Sequence, residues 1–260
     1  MHKHINKESQ KLHTAHLTLP TNYVELHARS AFSFLRGAAT PEELIAACAE
    51  LNMPAMALLD NDGVYGAARF HLAAQKVGIK AHIGAEIQVS GFRCQVSDSK
   101  PESTARNSKF KISNSKTERR DSKLKIPNAV FTLPLLIHNR AGYQNLCRLI
   151  TLMKMRVPKH AKPGECAVTL DELAAYADGL VCLTGAEDGP LALDINHRGH
   201  REETKITDRL IEIFGRENVY AELQRHFNRA EEARNHAVIE IARKLKLPLL
   251  ATNGVGYATR

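Results

Sequence analysis

The chain has 260 residues, 43% of them hydrophobic, which suffices to bury the core of one domain or slightly more. No apolar run approaches a bilayer span and the polar, His/Lys-rich residues 1–19 hold no signal-peptide core, so a membrane-spanning or secreted protein is not expected. Five cysteines without a C-x-x-C pair read as reduced thiols in a cytoplasmic protein, and the net charge of +8 invites a nucleic-acid reading that depends on where the charge lies.

Residues 1–20 read as a flexible tail, His2 and His4 included. The first apolar run is Tyr23-Val-Glu-Leu-His-Ala-Arg-Ser30, followed by Phe32-Ser-Phe-Leu-Arg-Gly37 and a helical pattern over 41–51. A second run, Ala57-Leu-Leu-Asp60-Asn-Asp-Gly63, precedes a helical pattern over 67–77, and a third ends at Ile83-Gly-Ala-Glu86. Each run is short enough for a buried strand and is predicted to end in a residue that can bind metal or move protons. Alternating strand and helix with polar residues at strand ends is how barrel-type α/β enzymes display a site.

Over 97–128 the hydrophobic periodicity disappears. Asn107-Ser-Lys-Phe-Lys-Ile112 is crudely repeated as Asp121-Ser-Lys-Leu-Lys-Ile126, and nine Lys/Arg against four Asp/Glu concentrate +5 of the charge here. Such composition buries too little apolar surface to offset chain entropy, so this stretch is expected to be a disordered basic insertion between two strands. The rest of the chain carries only about +3, which does not define a basic face.

The rhythm resumes with a strand over 129–137, expected to be broken at Pro134, and a helix over 142–155. Thr169 is placed to cap a short helix over 170–176, with Glu172 completing a capping box. An apolar strand over 179–184, helices over 201–214 and 229–245, and a strand over 247–251 complete the series. His71, His82, His160, His197, His200 and His236 lack paired spacing and read as surface residues. No Walker, dinucleotide or Gly-x-Ser-x-Gly pattern is present.

The runs from Tyr23 to Glu86 resemble the PHP domain (polymerase and histidinol phosphatase) that begins bacterial C-family DNA polymerase α subunits. Phe-Ser-Phe-Leu-Arg-Gly is most similar to the error-prone branch. The likeness resumes at Gly142-Tyr-Gln-Asn-Leu-Cys-Arg-Leu-Ile150, Gly164-Glu-Cys166, Tyr220-Ala-Glu-Leu-Gln-Arg-His226 and Ala251-Thr-Asn-Gly-Val-Gly-Tyr257. It implies an irregular (β/α)7 PHP-type barrel over 21–260, interrupted by the insertion at 97–128.

The resemblance also implies a cleft whose histidines and carboxylates hold divalent ions, and here this chain departs from the pattern. His27 stands where the first ligand is expected, but Arg29 occupies the place of the second histidine and Arg36 that of an acid or histidine. Asn61 replaces the imidazole expected after Asp60, and Gly254 and Gly256 replace a final Asp-x-His pair. Glu86, His226 and, with a less certain alignment, His138 match ligand positions. Arginine cannot ligate metal and repels a cation, so Arg29 or Arg36 is expected to neutralise Glu86 or Asp60 instead. No cofactor is firmly implied; a residual divalent ion (zinc, manganese or magnesium) on His27, Glu86 and His226 stays open. By itself, Asp60 reads first as a helix cap or turn former before Gly63, with a supporting catalytic role as the alternative.

The reading that follows is the N-terminal PHP module of an error-prone DNA polymerase. DNA synthesis past damage and repair belong to that family, with the polymerase chemistry, and contact with DNA, carried by polypeptide beyond Arg260. A free-standing metal-dependent PHP phosphoesterase or 3′-exonuclease is the alternative, and direct DNA binding through the basic insertion is a third.

Overall fold

The computed structural model describes residues 23–90, 130–157, 166–196 and 205–259. The tail over 1–20, the insertion over 97–128, Cys94, His160, His197 and His200 lie outside them. In chain order the elements are β1 (Glu25–Ala28), α1 (Pro41–Glu50), β2 (Ala55–Asn61), α2 (Ala67–Val77), β3 (Lys80–Ser90), β4 (Val130–Ile137) and α3 (Arg140–Arg156). They continue with β5 (Val168–Thr169), α4 (Leu170–Ala175), β6 (Leu180–Leu183), α5 (Pro190–Asn196), α6 (Lys205–Phe214), β7 (Val219–Gln224), α7 (Arg229–Leu245) and β8 (Leu249–Thr252).

The helix starts follow from local chemistry. Thr40 caps α1 with Glu43 reaching back in a capping box and Pro41 at the first turn, and Thr169 with Glu172 repeats the device at α4. Helix α2 ends on Gly78 at φ +73°, a left-handed position that glycine takes without steric cost.

The strands follow the order β1-β2-β3-β4-β6-β7-β8, with β5 appended to β3. All pairings are parallel except those of β4, which runs against both β3 and β6. The circuit of seven strands closes where the segment after β8 meets β1. Val255 N–H donates to His27 O at 2.9 Å, and Arg29 N–H donates to Val255 O at 2.8 Å.

Two of the differences from the sequence expectation bear on the site, besides the unexpected short elements β5 and α5. Pro134 does not break β4, which runs unbroken through it opposite Glu86. Its ring Cδ faces Gly185, beyond the last residue of β6, so no ladder donor is lost there. And β3 does not stop at Glu86 but continues to Ser90, leaving Glu86 in mid-strand with its side chain inside the barrel.

Strand parity sorts the core. Ala28 on β1, Met56 and Leu58 on β2, Ala85, Ile87 and Val89 on β3, and Val219 and Ala221 on β7 belong to the apolar clusters packed with the helices. The opposite face of the same strands carries Glu25 and His27, Glu86, and Glu222 and Gln224, all buried. The barrel interior is therefore polar at one end, and this places the site.

Candidate functional site

On β1 and its extension, Glu25, His27 and Arg29 fall at every second residue; on β7 and beyond, Glu222, Gln224 and His226 do the same. Period two puts each trio on one face. The two trios meet Glu86 of β3 inside the barrel.

His27 is at the centre, 1% exposed. Its Nε2 lies 2.5 Å from Glu86 Oε1 and its Nδ1 2.5 Å from Glu222 Oε1. Both contacts need an N–H, so the ring is an imidazolium donating on both sides. Burial opposes that charge, but the carboxylates of Glu222 and Glu86 outweigh it and push the His27 pKa up to about 10. Glu86 feels the reciprocal effect. Burial alone would raise its pKa, while His27 and Arg29 together hold it down at about 2. Burial likewise works against ionised Glu222, and His27 again prevails, so its pKa is lowered.

Arg29 completes the core of the site. Its Nε donates to Glu86 Oε2 at 2.6 Å and its Nη2 to Glu86 Oε1 at 2.7 Å. Two carboxylates thus face two cations in a buried, charge-balanced cluster. Glu222 Oε1 also accepts from Thr252 Oγ1 and from Gln224 Nε2, while Glu222 Oε2 finds no partner among the described residues. One layer further down, Glu25 accepts from Tyr23 Oη at 2.7 Å, His27 N–H at 2.8 Å and Asn253 N–H at 3.0 Å.

Above this cluster lies a cleft of about 320 Å³ lined by His27, Arg29, Arg36, Glu86, Gln224 and His226, with the 185–189 loop opposite. His226 is exposed on its rim. Its Nε2–H donates to Asn253 O and its Nδ1–H to Glu231 Oε1, each at 2.8 Å, and the Glu231 contact raises its pKa. Arg36 reaches neither Glu86 nor Asp60; Nη1 stands 3.8 Å from Asp188 Oδ2 across the mouth.

The remaining expected site residues are placed differently. Asp60 does not join the cleft, because it shares the outer face of β2 with Met56 and Leu58. Its Oδ1 accepts from Ser30 N–H, Ser30 Oγ and Ser33 Oγ, and its Oδ2 from Gly66 N–H, so it ties the turn after β1 to the start of α2. His138 is exposed after β4, and since β4 runs opposite to its neighbours, its C-terminal end opens at the other end of the barrel. Asn61 ends β2, where its N–H donates to Ser33 Oγ at 3.0 Å, and it is not among the residues lining the cleft. Gly254, at φ +58°, accepts from Arg29 Nη1 at 3.5 Å, and a Cβ there would meet the Gln224 amide. Gly256 O accepts from Ala38 N–H at 2.8 Å, and a Cβ would press on Arg36 O.

The donor set does not fit a divalent ion as arranged. A metal needs a lone pair on imidazole, and both nitrogens of His27 and of His226 are occupied as donors to oxygen. Glu86 presents both oxygens to a guanidinium. Among the described residues no group of three or more His, Cys, Asp and Glu is arranged to hold a metal.

The residues that sequence reasoning missed are Glu222, Gln224, Glu25 and Tyr23. The signal was the alternation itself: Glu-x-His-x-Arg and Glu-x-Gln-x-His put consecutive polar residues on one face of apolar strands.

A closed α/β barrel with a polar cleft at the ends of its parallel strands defines the class. The model of the PHP domain family matches residues 25–226, and the chain belongs to that family. The chain is 31% identical over 237 residues to the error-prone DNA polymerase of Mycolicibacterium paratuberculosis, covering 91% of this chain and 19% of that protein. With the error-prone DNA polymerase of Nocardia farcinica it shares 33% identity over 253 residues, 91% of this chain and 22% of the relative. The chain therefore spans about a fifth of the length of these relatives. A solved structure from Bifidobacterium adolescentis, provisionally named a metal-dependent phosphoesterase, superposes with a TM-score of 0.50 at 12% identity, over 90% of this chain and 87% of the other. It is similar in fold. No helix among the described residues is long and apolar enough to cross a membrane.

Proposed function

We propose that this chain is the PHP module of an error-prone DNA polymerase and that its cleft is a salt-bridged structural element without hydrolytic chemistry. The nucleotidyl transfer, and with it synthesis across damaged template, belongs to polypeptide outside the chain. The observation that carries the non-hydrolytic reading is the buried cluster His27–Glu86–Arg29–Glu222. The guanidinium of Arg29 neutralises the carboxylate that a cation would otherwise hold, and the doubly protonated His27 has no lone pair left to offer. The similarity to full-length polymerases over about 90% of this chain supports the module reading.

The test is metal content of the purified chain together with hydrolysis of a generic phosphodiester and of a DNA 3′ end. The expected result is substoichiometric metal and no metal-dependent turnover. Stoichiometric ions with turnover that His27→Ala abolishes would replace this reading with that of a phosphoesterase.

A further inference from the structure

A groove of about 310 Å³ runs between α1 and the segment that follows β8. Leu44, Cys48 and Met56 lie buried at its base, while Leu51, just past α1, and Tyr257 stand beside it 59% and 70% exposed. The segment after β8 that walls the groove is also the one that closes the barrel, since Val255 N–H donates to His27 O and Val255 O accepts from Arg29 N–H. A segment packed into the groove therefore braces the closing seam.

Tyr23 also lines this groove. Helix α1 connects two parallel strands and so runs against them, which sets Leu51 beside the start of β1. Tyr23 is held there, its Oη donating to Glu25 Oε2 at 2.7 Å and accepting from Asn253 Nδ2 at 3.1 Å. The residues that precede it read His16-Leu17-Thr18-Leu19-Pro20-Thr21-Asn22. Pro and Asn are turn formers, which lets the chain double back along α1. Leu17 and Leu19 are spaced by two, so an extended segment presents both on one side. From Tyr23 to Leu17 an extended chain reaches about 20 Å, against roughly 10 Å of helix between Leu44 and Leu51.

The charges match as well. Ala47, Tyr257 and Ala258 are shared with a second hollow whose lining includes Glu43 and Glu50. Glu50 ends α1, where the helix dipole already disfavours a carboxylate, and no basic residue lies in that last turn. Ahead of Leu17 the sequence supplies Lys11, Lys7 and Lys3 against the single acid Glu8.

We propose that residues 11–20 of this chain strap the groove, with Leu17 and Leu19 against Leu51 and Tyr257 and Lys11 over Glu43 and Glu50. Because Tyr23 is already fixed at the groove, docking is intramolecular, and an effective concentration on the order of millimolar lets two leucines suffice. Over these residues the strap replaces the flexible tail expected from the sequence.

The test compares amide hydrogen exchange over residues 253–258, read by mass spectrometry, in the full chain and in two variants of it. Leu17→Asp with Leu19→Asp should speed exchange there at least about tenfold, the scale of losing the burial of two leucines over a locally opening segment. Thr18→Asp, on the opposite side of an extended segment, should leave exchange as in the wild type. Equal exchange in the wild type and the leucine variant overturns the strap. Equal acceleration by Thr18→Asp overturns it too, because added acid and not lost leucines then moves the seam. A wild-type dimer in sedimentation velocity that the leucine variant dissolves overturns it in favour of the same segment from a second copy.

Discussion

Arg29 and Glu86, 57 residues apart in sequence, meet as a two-point pair inside the barrel, Nε to Oε2 at 2.6 Å and Nη2 to Oε1 at 2.7 Å. The same Glu86 Oε1 takes the Nε2–H of His27, so one carboxylate is shared by two cations. Parallel two-point geometry fixes the guanidinium plane, which a lysine could not do.

Removing the guanidinium leaves a buried carboxylate with one partner. Arg29→Ala should destabilise the chain by about 3–5 kcal/mol, as measured for broken buried pairs. Arg29→Lys should recover only part of that loss. Chemical denaturation checks both, and an Arg29→Ala chain as stable as the wild type contradicts the structural role. Arg29→His alone should not produce phosphodiester hydrolysis, because Arg36, Asn61, Gly254 and Gly256 still leave the cleft without ligands.

Stability should depend on pH through the same cluster. The His27 pKa, about 10 against an ordinary 6.5, is raised, so its contribution is complete below pH 6.5 and lost as pH climbs toward 10. The Glu86 pKa, about 2 against an ordinary 4.5, is lowered, so its contribution is complete above pH 4.5 and lost as pH falls toward 2. The lowered pKa of Glu222 adds to the acid side. Thermal melts across this range should show highest stability between those limits, with a shallower alkaline decline in His27→Gln. An unchanged Tm from the plateau to about pH 10 would count against an imidazolium at His27.

Asp60 holds four donors with two oxygens. Asp60→Asn sets an amide N–H₂ against at least one of those donors, and should cost about 1–3 kcal/mol through the unsatisfied group. The loss should appear in denaturant midpoints, accompanied by faster hydrogen exchange at Gly66. A neutral substitution would mean that the turn after β1 is held by other contacts.

The connection between β3 and β4 should tolerate shortening. Ser90 and Val130 are cross-strand partners, so the chain returns beside the point where it leaves. Loop closure costs rise only slowly with length, and deleting 97–128 should leave the Tm nearly unchanged. A large drop in Tm on deletion would assign that segment a packing role.

The element series and the family were legible in the sequence, because both rest on local signals. The capping box at Thr169, the extent of α2 and α7, and the alternation of apolar runs depend on residues within a few positions of one another. Arginine at position 29 also announced a guanidinium to be paired with a carboxylate, since guanidinium chemistry is the same in any fold. The tertiary structure decided who pairs with whom. Parity on β2 turned Asp60 outward, the reversed direction of β4 carried His138 to the far end, and β7 brought Glu222 to His27 from 195 residues away. Such partners are set by strand order and direction, which arise from packing across the whole barrel and leave no mark in the spacing of nearby residues.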